Sequence, residues 1–178
     1  EQTGSIRHVT QWALRTACAQ LKKWREQDVY FTVAVNISAI DLVDLSLPDS
    51  IASLLVEFDL PPSALTMEVT ESAVMSDPHN ALRALNLLRN MGITLSIDDF
   101  GTGYSSMAQL KKMPVDELKI DKAFVLDLAT NQDDRVMVKT LVSLAQNLGL
   151  TTVAEGVEDL ATLEFLTEIG CTKAQGYY

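Results

Sequence analysis

The chain has 178 residues, 47% hydrophobic and 21% charged, a composition ordinary for one globular domain with a substantial core. Its formal net charge of −10 argues against a nucleic-acid polymer as partner, because phosphate backbones select basic surfaces. No apolar run approaches the roughly 20 residues that a membrane helix needs, so we expect no membrane segment in this chain.

Short apolar strands alternate with amphipathic helices along the whole chain. Apolar spacing predicts helices over 5–26, about 48–58, 78–91, a short segment before Pro114, roughly 133–148, and 160–169. Runs of apolar and β-branched residues predict strands over 31–38, 65–71, 94–99, 117–121, 151–155 and 171–178. Asp77 and Asp159 are the predicted N-caps of two helices, and we expect Cys18 and Cys171 to be reduced.

Three joints between a helix and a strand share one pattern, in which a glycine, one apolar residue and a threonine follow each other. They are Gly92-Ile93-Thr94, Gly149-Leu150-Thr151 and Gly170-Cys171-Thr172. A glycine there can adopt the left-handed conformation that ends a helix. Short joints of repeated geometry suit parallel strands with right-handed crossovers, so the pattern predicts an α/β fold.

Polar residues within or late in the strands help to choose between a doubly wound open sheet and a β/α-barrel. They are Asn36, Glu68, Asp98, Asp99, Lys119, Asp121, Glu155 and Gln175. A barrel draws its working residues from the carboxyl ends of several strands, whereas an open sheet draws them from the strands at its switch point. We therefore predict a TIM-like β/α-barrel. It is incomplete here, because about six strands are predicted and the first strands of the barrel are expected upstream.

Five residues on successive strands form an all-oxygen set of side chains: Asn36, Glu68, Asp98, Asp99 and Glu155. Oxygen ligands suit Mg²⁺ or Mn²⁺ rather than zinc. Adjacent carboxylates would repel each other in a buried site unless cations offset their charge, and two bridged cations are the arrangement used for attack on phosphodiesters. Lys119 lies among these carboxylates in the sequence pattern and is suited to orienting an attacking water molecule or to stabilising charge on phosphate oxygens. Taken singly, each residue also fits a helix cap or a solvated strand end.

The chain resembles the EAL domain family in six motifs that occur in the family's order. The motifs are Asn36-Ile37-Ser38, Glu68-Val69-Thr70-Glu71-Ser72, Asp98-Asp99-Phe100-Gly101-Thr102-Gly103-Tyr104-Ser105-Ser106, Leu118-Lys119-Ile120-Asp121, Ala154-Glu155-Gly156-Val157-Glu158 and Gln175-Gly176-Tyr177. The resemblance covers essentially the whole chain, and the long motif that begins at Asp98 is highly specific.

This resemblance implies a β/α-barrel enzyme that hydrolyses cyclic di-GMP to linear pGpG with two Mg²⁺ or Mn²⁺ ions. It implies that Asn36, Glu68 and Asp98 hold the first ion, and that Asp98, Asp99 and Glu155 hold the second. It also implies a homodimer and a cytoplasmic location, with the parent protein in some cases attached to a membrane.

The remaining matched positions are given supporting roles by the resemblance. Lys119 would hold the attacking water, and Gln175, Asp121 and Glu158 would lie near the substrate. Glu71 would steady the loop of residues 100–106, which in this family couples the metal site to dimerisation. From the residues alone, the loop is either a plain connection or a mobile segment beside the metals.

The Glu-Ala-Leu tripeptide that names the family is absent from the chain, and its glutamate is a metal ligand in the family. We therefore expect residues 1–178 to be a single EAL-type domain that lacks its N-terminal part and its extreme C-terminal tail. One alternative is a non-catalytic cyclic di-GMP receptor, which another residue in place of the upstream glutamate would favour. A second alternative is an aldolase-like barrel with Lys119 as Schiff-base lysine. The surrounding carboxylates oppose this role because they favour the charged amine.

Overall fold

The computed structural model describes residues 5–101 and 107–178, which form two compact units, one up to Ser96 and one from Ile97. The helices are α1 Ser5–Arg25, α2 Ala39–Leu42, α3 Leu47–Phe58, α4 Glu71–Ser76, α5 Pro78–Asn90, α6 Met107–Leu110, α7 Lys122–Val125, α8 Gln132–Leu148 and α9 Leu160–Glu168. The strands are β1 Val33–Ile37, β2 Leu65–Thr70, β3 Thr94–Phe100, β4 Glu117–Ile120, β5 Thr151–Glu155 and β6 Lys173–Gln175.

The strands follow one another in the sheet in the order of the chain, from β1 to β6. The β1–β2, β4–β5 and β5–β6 pairs are parallel. A doubly wound sheet reverses its strand order at a switch point, and this order contains no reversal. The fold is therefore of the singly wound β/α-barrel type, as predicted, with six strands among the described residues where a complete barrel has eight.

The first unit is held together by helices that each bury one apolar face. Leu14, Cys18 and Leu21 lie three and four residues apart on α1 and are at most 1% exposed. Helix α1 packs against α3 and β1, and α3 packs against α5. Leu85 and Leu88 of α5 are fully buried. Burial of one leucine side chain contributes roughly 1.5–3 kcal/mol, so these faces dominate the stability of the unit.

In the second unit, α8 packs against β4 and β5. Leu118 and Ile120 of β4 are fully buried, and so is Val142 of α8. Side chains alternate between the two faces of a strand, so Glu117 and Lys119 project from the face of β4 opposite Leu118 and Ile120. Both charged residues of β4 therefore lie on one face of the sheet, and both apolar residues lie on the other.

The three predicted joints have the predicted backbone conformation. Gly92, Gly149 and Gly170 all have positive φ, at 90°, 72° and 80°. The N-caps were also predicted correctly, because Asp77 accepts a hydrogen bond from the Asn80 backbone N–H and Asp159 accepts one from that of Thr162. Both cysteines are free thiols.

Three short helices were not predicted, and each begins directly after a strand. The side chains of Ser38, Thr70 and Asp121 cap α2, α4 and α7 by accepting hydrogen bonds from backbone N–H groups two or three residues ahead. The predicted strands over 31–38, 65–71 and 117–121 were therefore too long at their carboxyl ends. The predicted strand over 171–178 was also too long, since only Lys173–Gln175 pairs as a strand.

None of the helices formed by residues 5–101 and 107–178 combines the length and the apolar character needed to cross a lipid bilayer.

A buried carboxylate connects α1 with the segment that follows β1. Asp41 is 5% exposed, and its Oδ2 accepts hydrogen bonds of 2.6 Å from the hydroxyl groups of Thr10 and Ser38. The Ser38 hydroxyl in turn accepts a hydrogen bond from the Asp41 backbone N–H. Asp41 thus fixes the start of α2, whose N-cap Ser38 lies two residues beyond Asn36 at the carboxyl end of β1.

Replacement of this carboxylate should therefore reduce stability. We expect Asp41→Ala to lower the free energy of unfolding by about 2–4 kcal/mol, because the buried Thr10 hydroxyl and the part-buried Ser38 hydroxyl lose a charged acceptor. Asp49→Ala removes an exposed carboxylate from α3 and should change it by less than about 0.5 kcal/mol. Urea unfolding followed by tryptophan fluorescence measures both. Equal stability of the two variants would show that the Asp41 network adds nothing.

Candidate active site

Lys119 lies among carboxylates in the second unit. Its side chain is 5% exposed, and its Nζ lies 3.2 Å from Asp98 Oδ2 and 2.7 Å from Glu155 Oε1. A buried ammonium group is costly unless it is paired, and here the carboxylates come from β3 and β5, on either side of β4. We call Asp98, Asp99, Lys119, Asp121 and Glu155 the acidic cluster.

The strand register brings Lys119 and Glu155 together. Lys119 pairs with Val153 of β5, and Glu155 lies two residues further along the same strand. Side chains two residues apart share a face of a strand, so Lys119 and Glu155 project from the same side of the sheet. Both lie close to the carboxyl ends of their strands, where a β/α-barrel places its active site.

Asp99 has a left-handed backbone conformation, with φ at 57°. This conformation is unfavourable for a residue with a Cβ atom, although aspartate tolerates it better than most. The Asp99 backbone N–H donates a 3.0 Å hydrogen bond to Asp98 Oδ1. Residues held in such conformations concentrate at functional sites.

The surroundings of Asp99 raise the pKa of its carboxyl group above the ordinary value. Partial burial is the largest cause, followed by the negative charge of Asp98 and by a hydrogen bond with Asp121. The charges of Asp121 and Glu155 act in the same direction. The carboxylates of the acidic cluster therefore repel each other, and positive charge brought among them would be stabilised.

Asp121 is positioned by the start of α7. Its Oδ1 accepts a 2.7 Å hydrogen bond from the Ala123 backbone N–H, which fixes the side chain beside Asp99. Gly156, directly after Glu155, has φ at 75°. A Cβ atom there would lie 2.8 Å from Lys122 Cβ, so glycine is needed for the close approach of this turn to α7.

Gln175 ends β6 and pairs in register with Glu155. Its carbonyl oxygen accepts a hydrogen bond from the Val157 backbone N–H, and the Tyr178 backbone N–H donates one to the Val157 carbonyl. A Cβ atom on Gly176 would clash with Val157, since it would lie 1.9 Å from the carbonyl oxygen. The chain after Gln175 is thus fixed against the segment that carries Glu155.

The first unit contains the other two predicted ligands. Asn36 of β1 and Glu68 of β2 are register partners, so their side chains lie next to each other on one face. Glu68 is 9% exposed, whereas Asn36 is exposed. Glu71 begins α4 and is buried. Its predicted role concerns the loop of residues 100–106, most of which lies outside the described residues, and so stays a prediction.

Glu158 is the one predicted residue of the second unit that the described contacts do not connect with the acidic cluster, and its side chain is exposed. Within residues 5–101 and 107–178, no three His, Cys, Asp or Glu side chains are arranged so that they could hold a metal ion together. The ligand sets given in the sequence analysis therefore stay predictions.

The Schiff-base alternative for Lys119 loses support from this geometry. A nucleophilic amine needs a free lone pair, whereas the ammonium group of Lys119 is ion-paired with Asp98 and Glu155.

Two charged residues on the same face of the sheet were not predicted. Glu117 is 4% exposed, and its Oε2 lies 2.6 Å from Lys173 Nζ. Strand alternation places Glu117 on the face of Lys119, a signal that was present in the sequence. Nothing local connects it with Lys173, which lies 56 residues further along the chain.

Comparisons with known proteins identify the family of this chain. Residues 1–178 match the EAL domain family. The bifunctional diguanylate cyclase/cyclic di-GMP phosphodiesterase MucR of Pseudomonas aeruginosa is 44% identical over 178 aligned positions, and the alignment covers 99% of this chain and 26% of MucR. The cyclic di-GMP phosphodiesterase NbdA of the same organism is 40% identical over 99% of this chain and 23% of its own length. The chain thus spans about a quarter of these curated relatives.

Two solved structures share the fold. The phosphodiesterase of P. aeruginosa MucR in complex with c-di-GMP has a TM-score of 0.93 and 45% identity, over 99% of this chain and 72% of that one. The EAL domain of Mycobacterium smegmatis DcpA has a TM-score of 0.89 and 40% identity, over 95% of this chain and 76% of that one. The family match over the whole chain and these likenesses lead to one conclusion: the chain belongs to the EAL domain family.

Proposed function

We propose that this chain carries the catalytic residues of a cyclic di-GMP phosphodiesterase, which hydrolyses cyclic di-GMP to linear pGpG with two Mg²⁺ or Mn²⁺ ions. The observation that carries the proposal is the position of Lys119 between Asp98 and Glu155 near the ends of three neighbouring strands. The activities named for MucR and NbdA support it.

The reaction adds one water molecule across one phosphodiester bond. Because pGpG keeps a 5′-phosphate, the water oxygen must bond to phosphorus while the bond from phosphorus to the 3′-oxygen breaks. The 3′-oxygen leaves with a proton, and the attacking water loses one. The protein therefore has to orient the water and accept its proton.

The acidic cluster supplies groups for both tasks. The Lys119 ammonium group, fixed by Asp98 and Glu155, can donate a hydrogen bond to the water and hold it in one orientation. Glu155 Oε1 lies 2.7 Å from the lysine Nζ and can accept the proton that the water loses. Gln175, the register partner of Glu155, has an amide that can contact a phosphate or guanine of the substrate.

The oxygen donors of the acidic cluster are of the chemical type that divalent cations prefer. A diester with two phosphates approaches an acidic cluster whose carboxylates already repel each other, as the raised pKa of Asp99 indicates, so cations are needed to offset both charges. By resemblance to the family, we propose Asn36, Glu68 and Asp98 for one ion and Asp98, Asp99 and Glu155 for the other. When bound, such ions stabilise negative charge on phosphate oxygens and lower the pKa of water.

We also propose that residues 1–178 act as one domain and that the protein works as a homodimer, as the resemblance implies. Light scattering of the full-length protein during gel filtration tests the dimer.

The activity itself gives the first test of this function. We expect the full-length protein with Mn²⁺ to produce pGpG, detected by chromatography, and EDTA to stop the reaction. Asp98→Asn should reduce turnover by roughly 10³-fold or more and weaken Mn²⁺ binding in calorimetry, because it loses both a ligand charge and the ion pair to Lys119. Asp133→Asn, an exposed change on α8, is the matched control and should retain both properties.

Near-normal turnover of Asp98→Asn would contradict the site assignment. Binding of cyclic di-GMP by the wild-type protein without any hydrolysis would instead identify a receptor.

The charge repulsion around Asp99 gives a second test, in the absence of metal. A raised pKa in the folded protein means that Asp99 favours folding below its unfolded pKa and that this contribution is lost as the pH rises through the folded pKa. Asp99→Asn should therefore melt at a higher temperature than wild type at pH 7 in EDTA and low salt. Asparagine also tolerates the left-handed backbone at this position.

The gain should shrink as the pH falls and should vanish below about pH 3.8, the ordinary pKa of aspartate. Asp98→Asn provides the contrast, since it breaks the ion pair with Lys119 and should melt at a lower temperature than wild type at pH 7. Thermal unfolding between pH 3.5 and 7 measures both variants. A lower melting temperature for Asp99→Asn at pH 7 would show that Asp99 is not under electrostatic stress.

A further inference from the structure

The face of β4 that carries Lys119 also carries a second ion pair, which the proposed reaction does not use. The Glu117 carboxylate is 6% exposed and contacts Lys173 Nζ at 2.6 Å, whereas the lysine side chain is 57% exposed. The pair connects β4 with β6 across β5, which lies between them. Thr151 Oγ1 adds a hydrogen bond of 3.5 Å to the same carboxylate oxygen.

The strand registers place the charges of this face in layers. Lys119 and Lys173 are both register partners of Val153 and thus lie at the same level on either side of β5. Glu155 lies one layer towards the carboxyl ends of the strands. Glu117 lies one layer in the opposite direction, beside Thr151. Lys119 therefore has carboxylates in both directions along the strands.

Glu117 is within reach of Lys119. The two residues are separated by one residue on the same strand and share a face, so their Cα atoms lie about 7 Å apart along β4. A lysine side chain can span this distance. In the structure Lys119 extends the other way, to Asp98 and Glu155, while Glu117 is paired with Lys173.

We propose that Lys173 is a positioning residue for Lys119. By pairing with Glu117, Lys173 prevents that carboxylate from drawing the Lys119 ammonium group away from Asp98 and Glu155. The inference rests on the proposed function, because it assigns Lys119 the task of orienting the attacking water.

Without Lys173, Glu117 would compete strongly with Asp98 and Glu155 for Lys119, because an unpaired buried charge is costly. A buried carboxylate that loses its partner is strongly destabilised, so it takes another cation where one is within reach. Without Lys173, the cation nearest along β4 is Lys119, and the 3.5 Å contact with Thr151 is too long to replace an ion pair. Hydrolysis would then fall because its water-orienting group is displaced, although no residue of the acidic cluster has changed.

Kinetics of the full-length protein test the proposal. Lys173→Met should lower kcat for pGpG formation by about 100-fold or more and leave KM within about twofold, because a misplacement of only about 1 Å can already cost this much and Lys119 would move further. Glu117→Gln alone should keep near-normal kcat, since it removes the competing charge. The double variant Lys173→Met/Glu117→Gln should regain most of the lost kcat, and Lys173→Arg should keep it.

Rescue by Glu117→Gln separates the proposal from a purely structural role. If the Glu117–Lys173 pair served only to hold β6 in place, the double variant would still lack the pair and would stay slow, and Glu117→Gln alone would be slow as well. A double variant as slow as Lys173→Met would therefore overturn the proposal, and so would a Lys173→Met variant with unchanged kcat. Should Lys173→Met not fold, Lys173→Gln takes its place. Its amide can donate a hydrogen bond to Glu117 without offsetting the charge, so a smaller fall in kcat with the same rescue is expected.

A crystal structure of the Lys173→Met variant provides a readout that does not depend on activity. We expect Lys119 Nζ within 4 Å of the Glu117 carboxylate and withdrawn from Glu155. Lys119 in its wild-type position would overturn the proposal. A wild-type protein that forms no pGpG would remove the proposed function, whereas this structure would still decide whether Lys173 controls the direction of Lys119.

Discussion

The second unit depends on one constraint: the charged side chains on one face of the buried strand β4 must be paired with opposite charges. All four residues of β4 are buried, and a strand buried on both faces is normally apolar throughout. Here two of the four are Glu117 and Lys119, and each needs an opposite charge from another strand. β4 can therefore stay buried only while β3, β5 and β6 keep the register that supplies those partners.

The carboxyl ends of β2 and β4 have a second constraint. Within a few residues, each must position a polar side chain and begin a helix. Thr70 and Asp121 do this by capping α4 and α7 with their side chains. Asp121 has both tasks, because one carboxyl group accepts the Ala123 backbone N–H and also faces Asp99. The start of α7 thus orients Asp121 towards Asp99.

The sequence was a good guide where the determining interaction is local. The glycines of the three joints and the caps at Asp77 and Asp159 act over three or four residues, and all were predicted correctly. Glu71 and Asp121 were assigned to strands, although Glu71 begins α4 and Asp121 caps α7, because the apolar runs before them mask the helix starts. The Glu117–Lys173 pair could not be predicted, because it depends on the register of β5 with both of its neighbours.

Two features of Asp99 oppose folding and are better explained by ligand binding than by the fold. Asp99 combines a left-handed backbone with a carboxyl group whose pKa is raised by neighbouring acids, and both cost stability. If this strand end served only to turn the chain, glycine would be the expected residue, because glycine adopts positive φ without strain and carries no charge. The cations that we propose would offset this repulsion, so they give a reason for a carboxylate at this position.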